Sequence, residues 1–368
     1  MVYVHVPFCR SFCTYCDFYS EIACRGRDGS AFESYADGIC REIDARRDGF
    51  AGTSAVNTLY IGGGTPSVLP LSCLGRIVSA VRSVMPGNFE EFTLEVNPDD
   101  ICERGPEYLA ALQEMGVDRI SMGVQSLDDG MLRWMNRRHD ADGARKAFRM
   151  LRGAGFDNIS VDLITGISPA VLPNAADPLQ ATLSEVLEWR PEHISAYQLS
   201  IEEGSALGRM VGEGRYDEAS EEFCRSQYEL LCGTLRDAGY RHYEISNWAL
   251  PGREAVHNGA YWTRNPYIGL GPGAHSLSAD GRTRSWNSQR LSGWSSSQES
   301  LSDAEIHEEI IMLGLRTAAG IGSTLLEGKE PLVADMTANG SLEALDGGRI
   351  RIPENRFFVS DEIISQLI

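Results

Sequence analysis

Residues 3–18 read Tyr3-Val4-His5-Val6-Pro7-Phe8-Cys9-Arg10-Ser11-Phe12-Cys13-Thr14-Tyr15-Cys16-Asp17-Phe18, a short apolar run followed at once by three cysteines spaced C-x3-C-x2-C. The run predicts a β-strand, and the cysteines fall on the loop that leaves it. An iron–sulfur cube takes four ligands, so three thiolates predict a [4Fe-4S] cluster with one iron open to an outside group. Zinc usually takes paired C-x2-C or Cys/His sets, and no second pair stands in the usual window. A disulfide framework belongs to small secreted domains, unlike 368 residues that start without a signal-peptide pattern. Cys24, Cys40, Cys73, Cys102, Cys224 and Cys232 are scattered without ligand spacing and read mostly as small buried hydrophobes, with no function assigned.

Outward from this loop, β-branched runs alternate with helical patterns: Val2–Val6, Val56–Ile61, Phe92–Val96, Arg119–Val124, Asn158–Leu163 and His193–Leu199. Such alternation implies parallel strands joined by right-handed crossovers. In a barrel of this kind the functional residues lie on loops at the strands' C-terminal ends. The expected fold is therefore α/β: a partial (β/α)6 barrel over 1–205, a connecting region over 206–300, and a small C-terminal α/β domain over 301–368. Within the later parts, a helix is expected from Ala219 to Ala238 with Gly239 ending it, and residues 282–300 read as a loop. Ser302-Asp303-Ala304-Glu305 has the form of a capping box opening a helix through Arg316.

Composition narrows the function. The charged fraction of 23% and hydrophobic fraction of 42% are those of a soluble globular protein. No window approaches the roughly 18 apolar residues of a membrane span. A net charge of −19 without any Lys/Arg run argues against nucleic-acid binding and against docking on anionic lipid. Cytoplasm is the expected compartment.

Each strand end then carries a polar signal. Gly62-Gly63-Gly64-Thr65-Pro66-Ser67 follows the second strand, and its glycines suit either a ligand's close approach or a strained strand-to-helix turn. Leu94-Glu95-Val96-Asn97-Pro98 puts Glu95 at the barrel mouth, although a lone glutamate is usually solvated. The fourth strand ends at Gln125, and Met135-Asn136-Arg137-Arg138-His139 follows, where a guanidinium could clamp a carboxylate or simply sit on a helix start. Asp162 lies in the apolar run Val161–Ile164 and needs a partner there, whether a ligand or loop amides.

With Tyr15 as the aromatic, C-x3-C-x-aromatic-C resembles the signature of the radical S-adenosylmethionine (SAM) proteins. The resemblance implies that SAM chelates the open iron and that an electron donor feeds the cluster, whose electron cleaves SAM to methionine and a 5′-deoxyadenosyl radical. It makes Gly63, Gly64 and Thr65 part of a methionine-binding segment, and Glu95, Gln125, Arg137 and Asp162 further SAM contacts, with Tyr3 and Tyr15 beside them. The family often has Gly where this chain has Asn136, and Arg138 competes with Arg137 for the clamp.

A second informative stretch is Val256-His257-Asn258-Gly259-Ala260-Tyr261-Trp262, followed by Tyr267 and by His275. Imidazole beside large aromatics suits a flat macrocycle such as haem, and the same aromatics would also pack on a barrel. H-N-x-x-Y-W is similar to the haem-associated motif of the HemW-type haem chaperones within the coproporphyrinogen III oxidase-like radical SAM proteins. That resemblance implies His257 as the haem ligand, with Asn258, Tyr261 and Trp262 around it. The oxidase branch carries one more cysteine, at the position held here by Phe18. The leading expectation is a haem chaperone with a SAM-binding cluster, delivering haem to a haem-requiring client and meeting a membrane only through that client. The alternative is an oxygen-independent coproporphyrinogen III oxidase that decarboxylates propionate side chains; a plain electron carrier would not need the residues gathered at the strand ends. The resemblance holds over residues 1–276 and fades beyond them.

Overall fold

Six parallel strands form the centre of the molecule: β1 (Val2–Val6), β2 (Thr58–Gly63), β3 (Glu91–Val96), β4 (Arg119–Gln125), β5 (Ile159–Thr165) and β6 (His193–Gln198). The computed structural model describes residues 1–22, 29–50, 56–172 and 177–368, so Cys24 lies outside the described residues. The six strands stand side by side in sequence order. Right-handed crossovers that always step the same way put every connecting helix on one face, whereas a doubly wound sheet reverses its order midway. The helices α1 (Ser30–Ala45), α2 (Leu71–Val84), α3 (Pro98–Glu114), α4 (Asp129–Trp134), α5 (Ala141–Ala154) and α6 (Pro178–Trp189) are those connections. The result is the expected partial (β/α)6 barrel.

Alternation along the strands sets what each face does, because successive side chains point to opposite sides. Leu59, Ile61, Phe92, Leu94, Ile120, Met122, Val161 and Leu163 are fully buried in the main core under the helices. Their neighbours, Tyr60, Thr93, Glu95, Arg119, Ser121, Asp162 and Ser195, line a chamber inside the barrel. The apolar set drives folding at about 1.5–3 kcal/mol per buried aliphatic side chain. The polar set faces the chamber, largely bonded within itself.

Two expectations are corrected here. The main sheet does not stop near residue 205: after α7 (Ala206–Gly212) and α8 (Glu221–Asp237), strands β7 (Arg241–Glu244) and β8 (Asn247–Ala249) join antiparallel beyond β6. At the other edge β9 (Ile268–Leu270) pairs parallel with β1, giving the order β9-β1-β2-β3-β4-β5-β6-β8-β7. The 206–300 region thus completes the sheet at both edges. Nor is 282–300 a loop, since β10 (His275–Leu277), β11 (Thr283–Asn287) and β12 (Ser296–Ser300) form a small antiparallel sheet. Every residue of β12 is exposed, so it has no apolar face to give a period-two pattern.

The capping box at Ser302 and Glu305 is present and opens α10 (Asp303–Leu315). Ile311, Leu315, Ile321, Ile350, Phe357 and Leu367 belong to a second apolar cluster. It is served by a three-stranded sheet of β13 (Ile321–Gly322), β14 (Glu343–Leu345) and β15 (Arg349–Arg351). No helix among the described residues is long and apolar enough to cross a membrane.

The short helix α9 (Val256–Tyr261) lies across the N-terminal ends of the strands. Glu91, at the start of β3, accepts hydrogen bonds from the backbone N–H groups of Val256 (2.8 Å) and His257 (2.9 Å). The Tyr243 hydroxyl joins Ala255 N (3.3 Å) to His193 Nε2 (2.7 Å) at the start of β6. Arg119, at the start of β4, has its Nε 3.9 Å from the Glu91 carboxylate and is itself buried. Replacing Glu91 by Ala takes away the carboxylate facing the buried Arg119, which keeps only its bond to Asn158 Oδ1 (2.9 Å) among its described side-chain hydrogen bonds, and uncaps α9, so Glu91→Ala is expected to cost about 3–5 kcal/mol in urea unfolding. A cost below about 1 kcal/mol, the worth of an exposed ion pair, would show that this end of the barrel is not held by the carboxylate.

Candidate functional site

The cysteine loop leaves β1 at the mouth of the barrel, where Phe8–Cys9 pairs with Glu21–Ile22. Cys9, Cys13 and Cys16 are half-buried free thiols on the wall of one chamber of about 710 Å³. That volume lies within the usual range of small-molecule sites. The loop is tied down from the far side: Thr14 donates its amide to Met135 O (3.1 Å) and its hydroxyl to Trp134 O (2.7 Å), while Asn136 Nδ2 donates to Phe12 O (2.7 Å).

Behind the loop stands the glycine turn. A Cβ on Gly64 would sit 2.8 Å from Phe8 O and 3.0 Å from Val6 O and Cys9 Sγ. The close approach that this glycine permits is therefore to the chain's own cysteine loop. Gly63 has a left-handed φ of 112° and a Cβ there would strike the His5 ring, so this position too favours glycine. Thr65 is buried, with its hydroxyl 3.5 Å from Cys9 Sγ and accepting from Asn97 Nδ2 (3.2 Å). Glu95 accepts from Gly63 N (2.9 Å) and from the Tyr60 hydroxyl (2.7 Å). Burial pushes its pKa up to about 7 despite those donors.

Asn136 adopts a left-handed φ of 57°, a conformation that Gly and Asn tolerate best. The turn sends Arg137 into the chamber, where Nη2 donates to Gly123 O and Asn97 Oδ1 (2.7 Å each) and Nη1 lies 3.4 Å from Cys13 Sγ. Arg138 also borders the chamber but is engaged by the carboxylates of Asp99, Asp100 and Glu103. Gln125 has a φ of 67° where the register of β4 shifts. Its Oε1 and Arg137 Nε are buried without a hydrogen-bond partner. Asp162 accepts from the hydroxyls of Ser121 (2.8 Å) and Ser160 (3.2 Å), not from loop amides, and burial raises its pKa.

Of the remaining expected residues, Tyr15 and Asn258 line the chamber, whereas Tyr3, His257, Tyr261 and Trp262 do not. Tyr3 is bonded through its hydroxyl to His5 Nδ1 (3.0 Å). His257 is fully buried, with Nδ1 on Thr58 Oγ1 (2.8 Å) and Nε2 on the Tyr261 hydroxyl (3.0 Å). Burial lowers its pKa to about 3. The ring expected to bind haem iron has neither nitrogen free, because α9 turns it down onto the start of β2. Sequence reading missed Tyr60, Asn97, Ser121, Ser160 and Tyr197. The polar–apolar alternation along β2, β4, β5 and β6 was the signal that could have found Tyr60, Ser121, Ser160 and Tyr197, and Asn97 continues the inward set of β3 one residue past its end.

These residues fit the groups the motif implies. Three thiols face one space, and burial pushes the Cys16 thiol up to about 11, so a bound metal or the neighbouring Arg137 has to favour the thiolate. Buried orphan groups such as Gln125 Oε1 and Arg137 Nε carry a desolvation cost that a polar ligand would relieve. Arg137 suits a carboxylate, and Glu95 and Asp162 are acceptors for an amine or hydroxyls.

Residues 3–169 match the family model described as Radical SAM superfamily. The chain is 30% identical to "Heme chaperone HemW" of Lactococcus lactis over 331 residues, covering 87% of this chain and 82% of that protein. It is 30% identical over 382 residues to the protein of the same name from Mycobacterium tuberculosis, covering 100% and 94%. Identity to "Radical S-adenosyl methionine domain-containing protein 1, mitochondrial" of Bos taurus is 34%, covering 87% and 74%. Among solved structures, coproporphyrinogen III oxidase (HemN) from Escherichia coli superposes with a TM-score of 0.80 over 99% of this chain and 88% of that one, at 20% identity, a likeness of fold.

Gly64→Val should drive a side chain onto Phe8 O and Cys9 Sγ, so that iron and SAM binding are lost together after anaerobic reconstitution. Full iron content with SAM affinity alone lost would make the turn a ligand contact instead of a support for the loop. Glu95 gives a pH signature in the cluster-free protein. Its pKa stands near 7 when folded against an ordinary 4.5, so the folded state holds a proton that the unfolded state has released, and stability falls as pH rises between those values. Glu95→Gln removes that fall: its advantage over the parent in urea midpoint should be largest at about pH 7 and above and should shrink toward pH 4.5. A constant difference across this range would mean that the carboxyl titrates normally.

Proposed function

The chain belongs to the radical SAM superfamily, in the branch of the HemW-type haem chaperones, and we propose that it binds haem and delivers it to a haem-requiring client while carrying a SAM-binding [4Fe-4S] cluster. Cys9, Cys13 and Cys16 are the cluster ligands in this reading. Bound there, cluster and SAM supply one-electron chemistry, and the protein supplies position and shielding. Arg137 orients a carboxylate beside Cys13, Gly63, Gly64 and Thr65 back the loop, and Glu95, Gln125, Asp162 and Asn258 offer polar atoms deeper in the chamber. An electron donor and the client approach from the mouth, with the cytoplasm as the setting.

The observation that carries the chaperone reading over the oxidase is Phe18. It stands where the oxidase branch has a further cysteine and is 70% exposed at the chamber's mouth, with Phe12 on the same loop 48% exposed. Exposed aromatics suit the face of a macrocycle, and we place haem against this rim instead of on His257. The oxidase alternative draws its support from the chamber itself, which reaches from the cysteines down to Arg119 and His193.

The purified protein is expected to shift the Soret band of added haem and, when reduced anaerobically with SAM, to leave coproporphyrinogen III undecarboxylated. Alanine at the three cluster cysteines should leave haem binding in place, whereas Phe12→Ser with Phe18→Ser should weaken it at least tenfold. Turnover of the porphyrinogen with SAM consumption would establish the alternative. His257→Ala should lower stability by about 2–4 kcal/mol for a lost buried ring and its two bonds, with the Soret position unchanged. A displaced Soret band in that variant, still folded, would mean that α9 opens to present the imidazole to iron.

A further inference from the structure

Away from the chamber, α8, β7 and the 3-10 turn Glu354–Val359 bring together three side chains of different ligand chemistry, Cys232, His242 and Glu354. His242 Nδ1 lies 3.9 Å from Cys232 Sγ and 3.3 Å from Glu354 Oε1, and the three donor atoms all fall within 4.8 Å of one another. We propose that these residues form a zinc-class metal site that joins the barrel to the C-terminal part, with water in the fourth position.

The spacing is the first argument. Tetrahedral coordination with metal–sulfur, metal–nitrogen and metal–oxygen bonds of about 2.3, 2.0 and 2.0 Å sets nitrogen and oxygen about 3.3 Å apart, and sulfur and nitrogen about 3.5 Å apart. The observed 3.3 Å matches, and the observed 3.9 Å closes with a few tenths of an ångström of movement. Both partners also face the same ring nitrogen. A thiol–imidazole–carboxylate relay uses the two ring nitrogens separately, so this arrangement is not that of an activated nucleophile. Convergence on one point is what a ligand set requires.

The surroundings support the ring in that role. Nε2 faces Ile245 O at 3.3 Å, and a proton held there leaves the Nδ1 lone pair for a metal, as outer partners of metal-bound imidazoles do. The ring is stacked on Trp248 at 4.0 Å and 15°, which fixes its plane. Arg236 Nη1 stands 3.6 Å from the other Glu354 oxygen and steadies the carboxylate. Cys232 is buried, whereas the Glu354 side chain is 35% exposed and opens a path for ion and water. Thiolate and imidazole with one carboxylate select Zn²⁺ over Mg²⁺ or Ca²⁺.

The rival arrangement is a plain hydrogen-bonded cluster in which Nδ1 carries the proton toward Glu354, and equilibrium dialysis against Zn²⁺ decides between the two. The 368-residue chain with Cys9, Cys13 and Cys16 replaced by Ser, which removes the thiols of the cluster loop, should retain one Zn²⁺ per chain and gain thermal stability from it. Adding Cys232→Ser or Glu354→Gln should weaken retention at least tenfold and abolish the stability gain. With Co²⁺ in place of Zn²⁺, a near-ultraviolet thiolate-to-cobalt band should appear in the parent and vanish in Cys232→Ser. No retained metal in the parent, or equal retention in Glu354→Gln and the parent, overturns the site and leaves the hydrogen-bonded cluster.

Discussion

Everything at the mouth of this barrel depends on the packing of Gly64 against the backbone of Phe8 and the thiol of Cys9, a contact that leaves no room for a Cβ. A loop carrying three half-buried thiols cannot be held by apolar packing alone, because its backbone polar groups need partners. The glycine turn supports it from one side. Trp134, Met135 and Asn136 hold it by hydrogen bonds from the other. Loop and chamber wall are thereby one unit: the turn that backs Cys9 also places Gly63 N on Glu95, and the turn that pins Phe12 also directs Arg137 toward Cys13.

The chamber itself is a costly construction. Glu95, Asp162, Arg119 and His193 sit in or near the interior of a barrel whose outer strand faces are fully apolar, and burial shifts Glu95, Asp162 and His193 toward their neutral forms. Serine hydroxyls on β4 and β5 and the Tyr60 hydroxyl on β2 satisfy most of this set. Among the groups lining the chamber, Gln125 Oε1 and Arg137 Nε are buried without a partner, and Arg137 stands beside Cys13. A polar ligand in the chamber would offer these two groups the partners that the protein does not.

The sequence made some of this plain and hid the rest for physical reasons. The six parallel strands were readable because their helix-facing sides are continuously apolar, and the cysteines because three thiols so spaced on one loop suit a metal cluster and little else. The capping box at Ser302 and Glu305 is a local motif and needs no tertiary context. By contrast β9 has three residues, too few to show a period, and β12 is wet on both faces. The choice between Arg137 and Arg138 turns on the left-handed φ of Asn136, which composition cannot reveal. For His257 the sequence leaves two readings open, because imidazole, amide and aromatics in one short motif describe a haem pocket and a buried hydrogen-bonded corner equally well, and the structure has the second arrangement.

What the structure makes of that corner bears on the chemistry above it. Glu91 holds the first amides of α9, Thr58 and Tyr261 hold the two nitrogens of His257, and Asn258, the next residue, reaches into the chamber. The motif thus closes the barrel opposite the cysteine loop while lending it one polar side chain. In the proposed function, a chamber closed at this end and lined with fixed dipoles would surround a bound group with preorganised partners in place of water. It also leaves the cysteine rim, with Phe12 and Phe18 exposed on it, as the face where the proposed haem, electron donor and client would meet.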